Sequence, residues 1–157
     1  MKKLLVGFLL LIISIPSFGQ VEGELRARLG NEYGISTNLF GMNLSGEYFF
    51  INNLSGTAFL AVYFPASGKA SSYDIDAKYY FTEGRSQLYG LLGFHYFRRR
   101  LEFAPEEENL INTSGLNIGS GFMYRLSDEF SLNTEFKYQP QNQNNLIISV
   151  GVTYHIN

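Results

Sequence analysis

Val21-Glu22-Gly23-Glu24-Leu25-Arg26-Ala27-Arg28-Leu29 alternates without a break: every odd position is apolar or small and every even one is charged. Successive side chains of an extended strand point to opposite faces, so the stretch predicts a strand with one fatty and one ionic side. A soluble sandwich, or a lipocalin-like barrel, would turn the ionic side to water and need no balance of charge there. A transmembrane β-barrel would turn the fatty side to lipid and enclose the ionic one. One strand fits both, so the rest of the chain has to decide.

Residues 1 to 19 have the parts of a secretory signal: Lys2 and Lys3, the apolar run Leu4 to Ile13, and a Ser17-Phe18-Gly19 end. The run is shorter than the roughly 20 residues of a membrane-spanning helix, which predicts cleavage after Gly19 and one mature domain over residues 20 to 157. Without Lys2 and Lys3 the chain carries 10 basic and 14 acidic residues. Its one basic run is Arg98-Arg99-Arg100, so a nucleic-acid partner is not expected. The sequence has no cysteine, so no disulfide framework or thiolate metal site is available to it, and a lipidated N-terminus is not expected.

Period-2 patterning predicts strands over 21 to 30, 40 to 51, 55 to 64, 72 to 82, 86 to 98, 114 to 126, 129 to 138 and 145 to 156. Segments of this length suit tilted bilayer-spanning strands. The connections alternate: longer ones at 31 to 39, 65 to 71, 99 to 113 and 139 to 144, tight ones at 52 to 54, 83 to 85 and 127 to 128. Long loops on one side and short turns on the other is the outer-membrane pattern. The expected fold is therefore all-β, a single closed antiparallel eight-stranded up-and-down transmembrane barrel, with both termini in the periplasm.

The inward face is expected to hold Glu22, Glu24, Arg26, Arg28, Glu47, Asp74, Asp76, Lys78, Arg125, Glu135 and Lys137, with His95, Asn117 and other polar residues between them. Acids and bases occur in similar numbers, so an enclosed network can satisfy them. The outward aromatics sort by strand direction. Tyr48, Phe50, Tyr79, Phe81, Tyr124 and Tyr154 end the even strands, while Phe64, Phe94, Tyr96, Phe136 and Tyr138 end the odd ones. Because neighbouring strands run oppositely, these two sets predict aromatic girdles at both membrane interfaces.

The stretch Tyr124-Arg125-Leu126-Ser127-Asp128-Glu129-Phe130-Ser131-Leu132 reads as a turn between membrane strands, and Ser149-Val150-Gly151-Val152-Thr153-Tyr154 as a final barrel strand. On these residues and the overall pattern the chain resembles the small outer-membrane barrels of the OmpA and OmpX type, and more loosely the porin-family barrels common in Bacteroidetes. The resemblance implies a Gram-negative outer membrane as location, insertion by the barrel-assembly machinery, contact with outer-membrane lipid and lipopolysaccharide, and a monomer as the expected state. The chain departs from that family in ending His155-Ile156-Asn157 instead of on an aromatic residue.

An eight-stranded barrel leaves room only for side chains or one small ligand. The lumen charges therefore predict a filled barrel with a structural and surface-interaction role and no catalysis. A narrow porin-like channel for ions or small solutes is the alternative. A lipid-modifying enzyme, built on Ser and His, is a further one; neither His95 nor His155 has a serine two residues away as that pattern requires. No cofactor or metal motif is present. In the third outer loop, Arg98, Arg99 and Arg100 could contact lipopolysaccharide phosphates, and Leu101 and Phe103 a partner, or the arginines could simply sit at headgroup level.

Overall fold

The computed structural model describes residues 22–102, 105 and 109–156. The expected signal segment, Phe103 and the acidic block 106–108 lie outside these residues. Eight strands follow one another: β1 (Leu25–Gly34), β2 (Leu39–Ile51), β3 (Leu54–Tyr63), β4 (Lys69–Tyr80), β5 (Ser86–Arg100), β6 (Leu110–Arg125), β7 (Phe130–Gln139) and β8 (Asn145–Ile156). Each pairs antiparallel with its neighbour, and β8 returns to β1, so the sheet closes as an up-and-down barrel. Closure leaves no free sheet edge along the paired length of the wall.

The alternation decides the two surfaces. Ile75 (73% exposed), Leu92 (59%) and Ile118 (56%) face outward, whereas Arg26, Asp76 and Glu135 are each 1% exposed and face inward. All eleven aromatics assigned to the girdles point outward. Tyr33 and Phe40, opposite each other on β1 and β2, join the set at the loop end. At the end that carries the termini the rings touch in pairs, Tyr48 with Phe50 at 5.5 Å, Tyr79 with Phe81 at 5.4 Å and Phe130 with Tyr154 at 5.2 Å. An apolar belt around the entire wall far exceeds the patches a water-facing monomer tolerates; it is a surface made for hydrocarbon.

The first strand differs from its expected span of 21 to 30. It begins at Leu25 and continues the same alternation through Glu32 and Tyr33 to Gly34, leaving Glu22 exposed in the preceding turn instead of inside. Gly30-Asn31 looks like a turn in sequence, but Gly30 lies in the ladder opposite Gly151 of β8. A Cβ at Gly30 would stand 2.5 Å from the Val150 carbonyl oxygen and 2.8 Å from Gly151 Cα. The glycine pair thus marks a close approach at the closing seam. The expected long connection 31 to 39 shrinks to 35–38, reversed through Asn38 at φ 53°, the left-handed region that asparagine tolerates.

β6 rises past β7. β6 pairs with β7 only from Ile118 onward, so its residues 110–117 are laddered on the β5 side alone, apart from Gln141 Oε1, which accepts from the Leu116 amide at 3.0 Å. The expected loop 99 to 113 is therefore trimmed at both ends by strand, and the connection proper spans 101–109.

Candidate functional site

Inside the wall, alternation delivers side chains in three levels. Nearest the termini, Phe49, Tyr80, Tyr89, Leu91 and Met123 form a buried cluster, with Tyr80 4.9 Å from Tyr89 and 5.2 Å from Phe49 between ring centroids. Arg26 lies on this cluster, its guanidinium carbon 4.3 Å from the Phe49 centroid. It donates to Gln87 Oε1 (3.2 Å) and to both carboxylate oxygens of Glu24 (2.9 and 3.0 Å). At the loop end, Leu39, Phe59, Ala61, Tyr63, Ala70 and Phe97 form a second buried cluster.

Between them runs an ionic belt. Lys137 Nζ reaches Asp76 (2.6 Å), Asp74 (3.1 Å) and Glu135 (3.5 Å), and rests 4.0 Å from the Phe59 centroid. Glu135 in turn takes Lys78 at 2.9 Å and Arg28 at 3.7 Å and accepts from the Tyr89 hydroxyl at 2.8 Å. Asn117 donates to Asp76, and Gln139 to Asn117, each at 2.9 Å. Glu47 accepts from Tyr80 at 2.7 Å and from Ser55. Glu32, which the predicted strand stopped short of, accepts from Tyr63 and from Asn43.

The buried acids are thus Glu32, Glu47, Asp74, Asp76 and Glu135, against Arg26, Arg28, Lys78 and Lys137. Hydrogen bonding and mutual attraction are what hold such groups charged away from water. Of the residues expected in the lumen network, Glu22 is outside it. Arg125 is half-buried at the mouth, 3.7 Å from Glu24. His95 is fully buried in the loop half, opposite Asp74 in the ladder.

The mouth nearest the termini holds an arrangement invisible in sequence. His155 Nδ1 donates to Glu24 Oε1 at 2.6 Å, which leaves Nε2 to accept from the Ser131 hydroxyl, also 2.6 Å away. No serine stands two residues from His155 along the chain, but the β7–β8 ladder brings Ser131 to it. Ser131 is fully enclosed, so its hydroxyl has no approach for an acyl substrate. Burial works against the charge of Glu24, but hydrogen bonds from His155 and Arg26 and the positive charge of Arg26 hold its carboxyl down to about 2. Among the described residues no group of three metal-ligating side chains occurs.

The loop-bearing rim carries the remaining charge. Arg98 and Arg100 are exposed, whereas Arg99 lies on the alternate face and is half-buried, so the three arginines do not act as one patch. Lys69 of β4, which nothing in the local sequence links to them, stands opposite Arg100.

No protein-family model and no curated protein sequence matches the chain. Solved structures do. The N-terminal β-barrel domain of Pseudomonas aeruginosa OprF superposes with a TM-score of 0.73 at 15% identity, over 88% of this chain and 99% of that one. The outer membrane protein OprG from the same organism gives 0.67 at 14% identity, over 90% and 100%. Ail of Yersinia pestis, solved in complex with the heparin analogue sucrose octasulfate, gives 0.64 at 21% identity, over 87% and 100%. The chain therefore has the fold of the small eight-stranded outer-membrane β-barrels.

Proposed function

We propose that this chain is an integral outer-membrane barrel of the OmpA and OmpX type whose lumen is permanently filled. On this reading it neither conducts nor catalyses and acts through the surface it presents outside the cell. The observation that carries the reading is the stacking of two buried aromatic clusters on either side of the ionic belt. An ion crossing the barrel would have to pass two apolar constrictions and then break pairs that hold the belt charges in a low dielectric. What the barrel offers to other molecules is then its rim and the end of the β5–β6 hairpin, where β6 runs beyond β7.

The test is planar-bilayer recording on the refolded chain at several salt concentrations. Absence of discrete steps is the expected result. Steady single-channel steps that change when Arg26 or Glu135 is neutralised would establish a narrow channel instead.

A further inference from the structure

On the loop-bearing rim, β4 and β5 carry a graded ladder of outward-facing pairs. Tyr73 stands opposite Tyr96, Ser71 opposite Arg98, and Lys69 opposite Arg100. Aromatic rings prefer the membrane interface and cations the headgroup level just beyond it. Each step of two residues advances about 7 Å along a strand, so Arg98 and Arg100 rise from the girdle into the headgroup zone. Two like charges directly opposite on one face oppose pairing, yet among the described residues Lys69, Arg98 and Arg100 have no carboxylate within 4.0 Å.

These cations line a groove of about 590 Å³ with an apolar side formed by Val62, Phe64 and Pro65. Its shape is fixed by Gly68, at φ 81°, where a Cβ would meet the Arg100 carbonyl oxygen at 1.9 Å. Only glycine lets the β3–β4 connection lie this close to the end of β5. Val62 and Phe64 are outward-facing and continue the hydrocarbon-facing belt, so the groove opens toward the membrane plane as well as toward solvent.

We propose that this groove binds the phosphate headgroup of an outer-leaflet lipid, with Lys69, Arg98 and Arg100 taking the phosphate oxygens and Val62 and Phe64 receiving the start of the acyl region. The proposal rests on the barrel spanning an outer membrane with this rim outward. Arginine and lysine donors match phosphate geometry and charge. A soluble polyanion would approach from the solvent side and gain nothing from the apolar wall; a lipid uses both parts.

The full mature chain is reconstituted in phosphatidylcholine vesicles doped with phosphatidic acid, and co-purifying lipid is counted by native mass spectrometry after gentle detergent release. Phosphatidic acid is expected to be enriched over phosphatidylcholine, and Arg98→Gln or Arg100→Gln to lower the enrichment roughly tenfold, as loss of one charge-assisted contact implies. Phe64→Ser should weaken lipid retention without changing displacement by inorganic phosphate. Equal retention of both lipids would overturn the proposal, as would enrichment that survives all three cation substitutions. Binding of soluble heparin or inorganic phosphate with no lipid enrichment would overturn it in favour of a soluble anion. Enrichment that appears only after Glu106, Glu107 and Glu108 are changed to glutamine would also overturn it, because those acids would then be the natural partners. Heat-modifiable gel migration and bilayer conductance, measured on the same variants, report separately on the membrane-barrel reading.

Discussion

Replacing Lys137 by methionine keeps most of the side-chain volume and removes only the charge. In the wild type its ammonium is shared by Asp76, Asp74 and Glu135 within 3.5 Å. Without it, the lumen holds the same five buried acids against Arg26, Arg28 and Lys78. Glu135 keeps Lys78 at 2.9 Å, but Asp74 and Asp76 lose their only ion pair among the described residues. Breaking a buried pair from one side costs about 3 to 5 kcal/mol, because the remaining charge stays desolvated. At a urea dependence of about 2 kcal/mol per molar this shifts the midpoint by roughly 2 M. The assay is the fraction of heat-modifiable, folded band on unboiled gels against urea concentration. Adding Asp76→Asn to Lys137→Met should recover part of the loss, since it removes one of the stranded charges. A Lys137→Met loss below about 1 kcal/mol, or no recovery in the double variant, would refute the premise that the belt is shielded from water.

An arginine at Leu60 or Ile118, both outward and exposed, should cost roughly 2 to 4 kcal/mol if the side chain lies near the bilayer midplane, against about 0 to 1 at Ser71 on the rim, measured by the same urea titration. Glu24 ties the mouth together. Its folded value of about 2 lies below the ordinary 4.5, so its stabilising effect is complete above pH 4.5 and disappears as pH falls toward 2. Acid titration of the folded band should show that loss, and Glu24→Gln should flatten the curve in this window. Gly30→Ala puts a methyl within 2.5 Å of the Val150 carbonyl at the β1–β8 seam; the expected outcome is a reduced yield of folded barrel on refolding into detergent, whereas alanine at Gly46, where a Cβ meets nothing within 4 Å, should refold normally.

The architecture was legible because strand alternation is local. The parities of Asp74, Asp76 and Lys78, or of Glu135 and Lys137, follow from their own neighbours, and the structure places each of them inside. What sequence could not supply was register. Glu32 was hidden because Gly30-Asn31 resembles a turn until Gly151 is known to lie beside it. Ser131 and His155 belong to different strands, and Lys69 and Arg100 lie on either side of a long hairpin, so only the ladder reveals that they meet. The bounds of β1 and the shortness of its following loop escaped for a related reason: a left-handed asparagine at position 38 reverses the chain in fewer residues than polarity alone suggests.

The belt contacts have a mechanical meaning. Lys78 and Glu135, and Asp74, Asp76 and Lys137, join β4 to β7 through the interior, while Arg28 ties β1 to the same point. These are spokes, not rim bonds. A hollow tube of hydrogen-bonded staves can flatten into an ellipse under lateral pressure; a spoked one resists. When the surrounding bilayer is too thick or too thin, this barrel should keep its round cross-section and leave the lipid to stretch or thin around it.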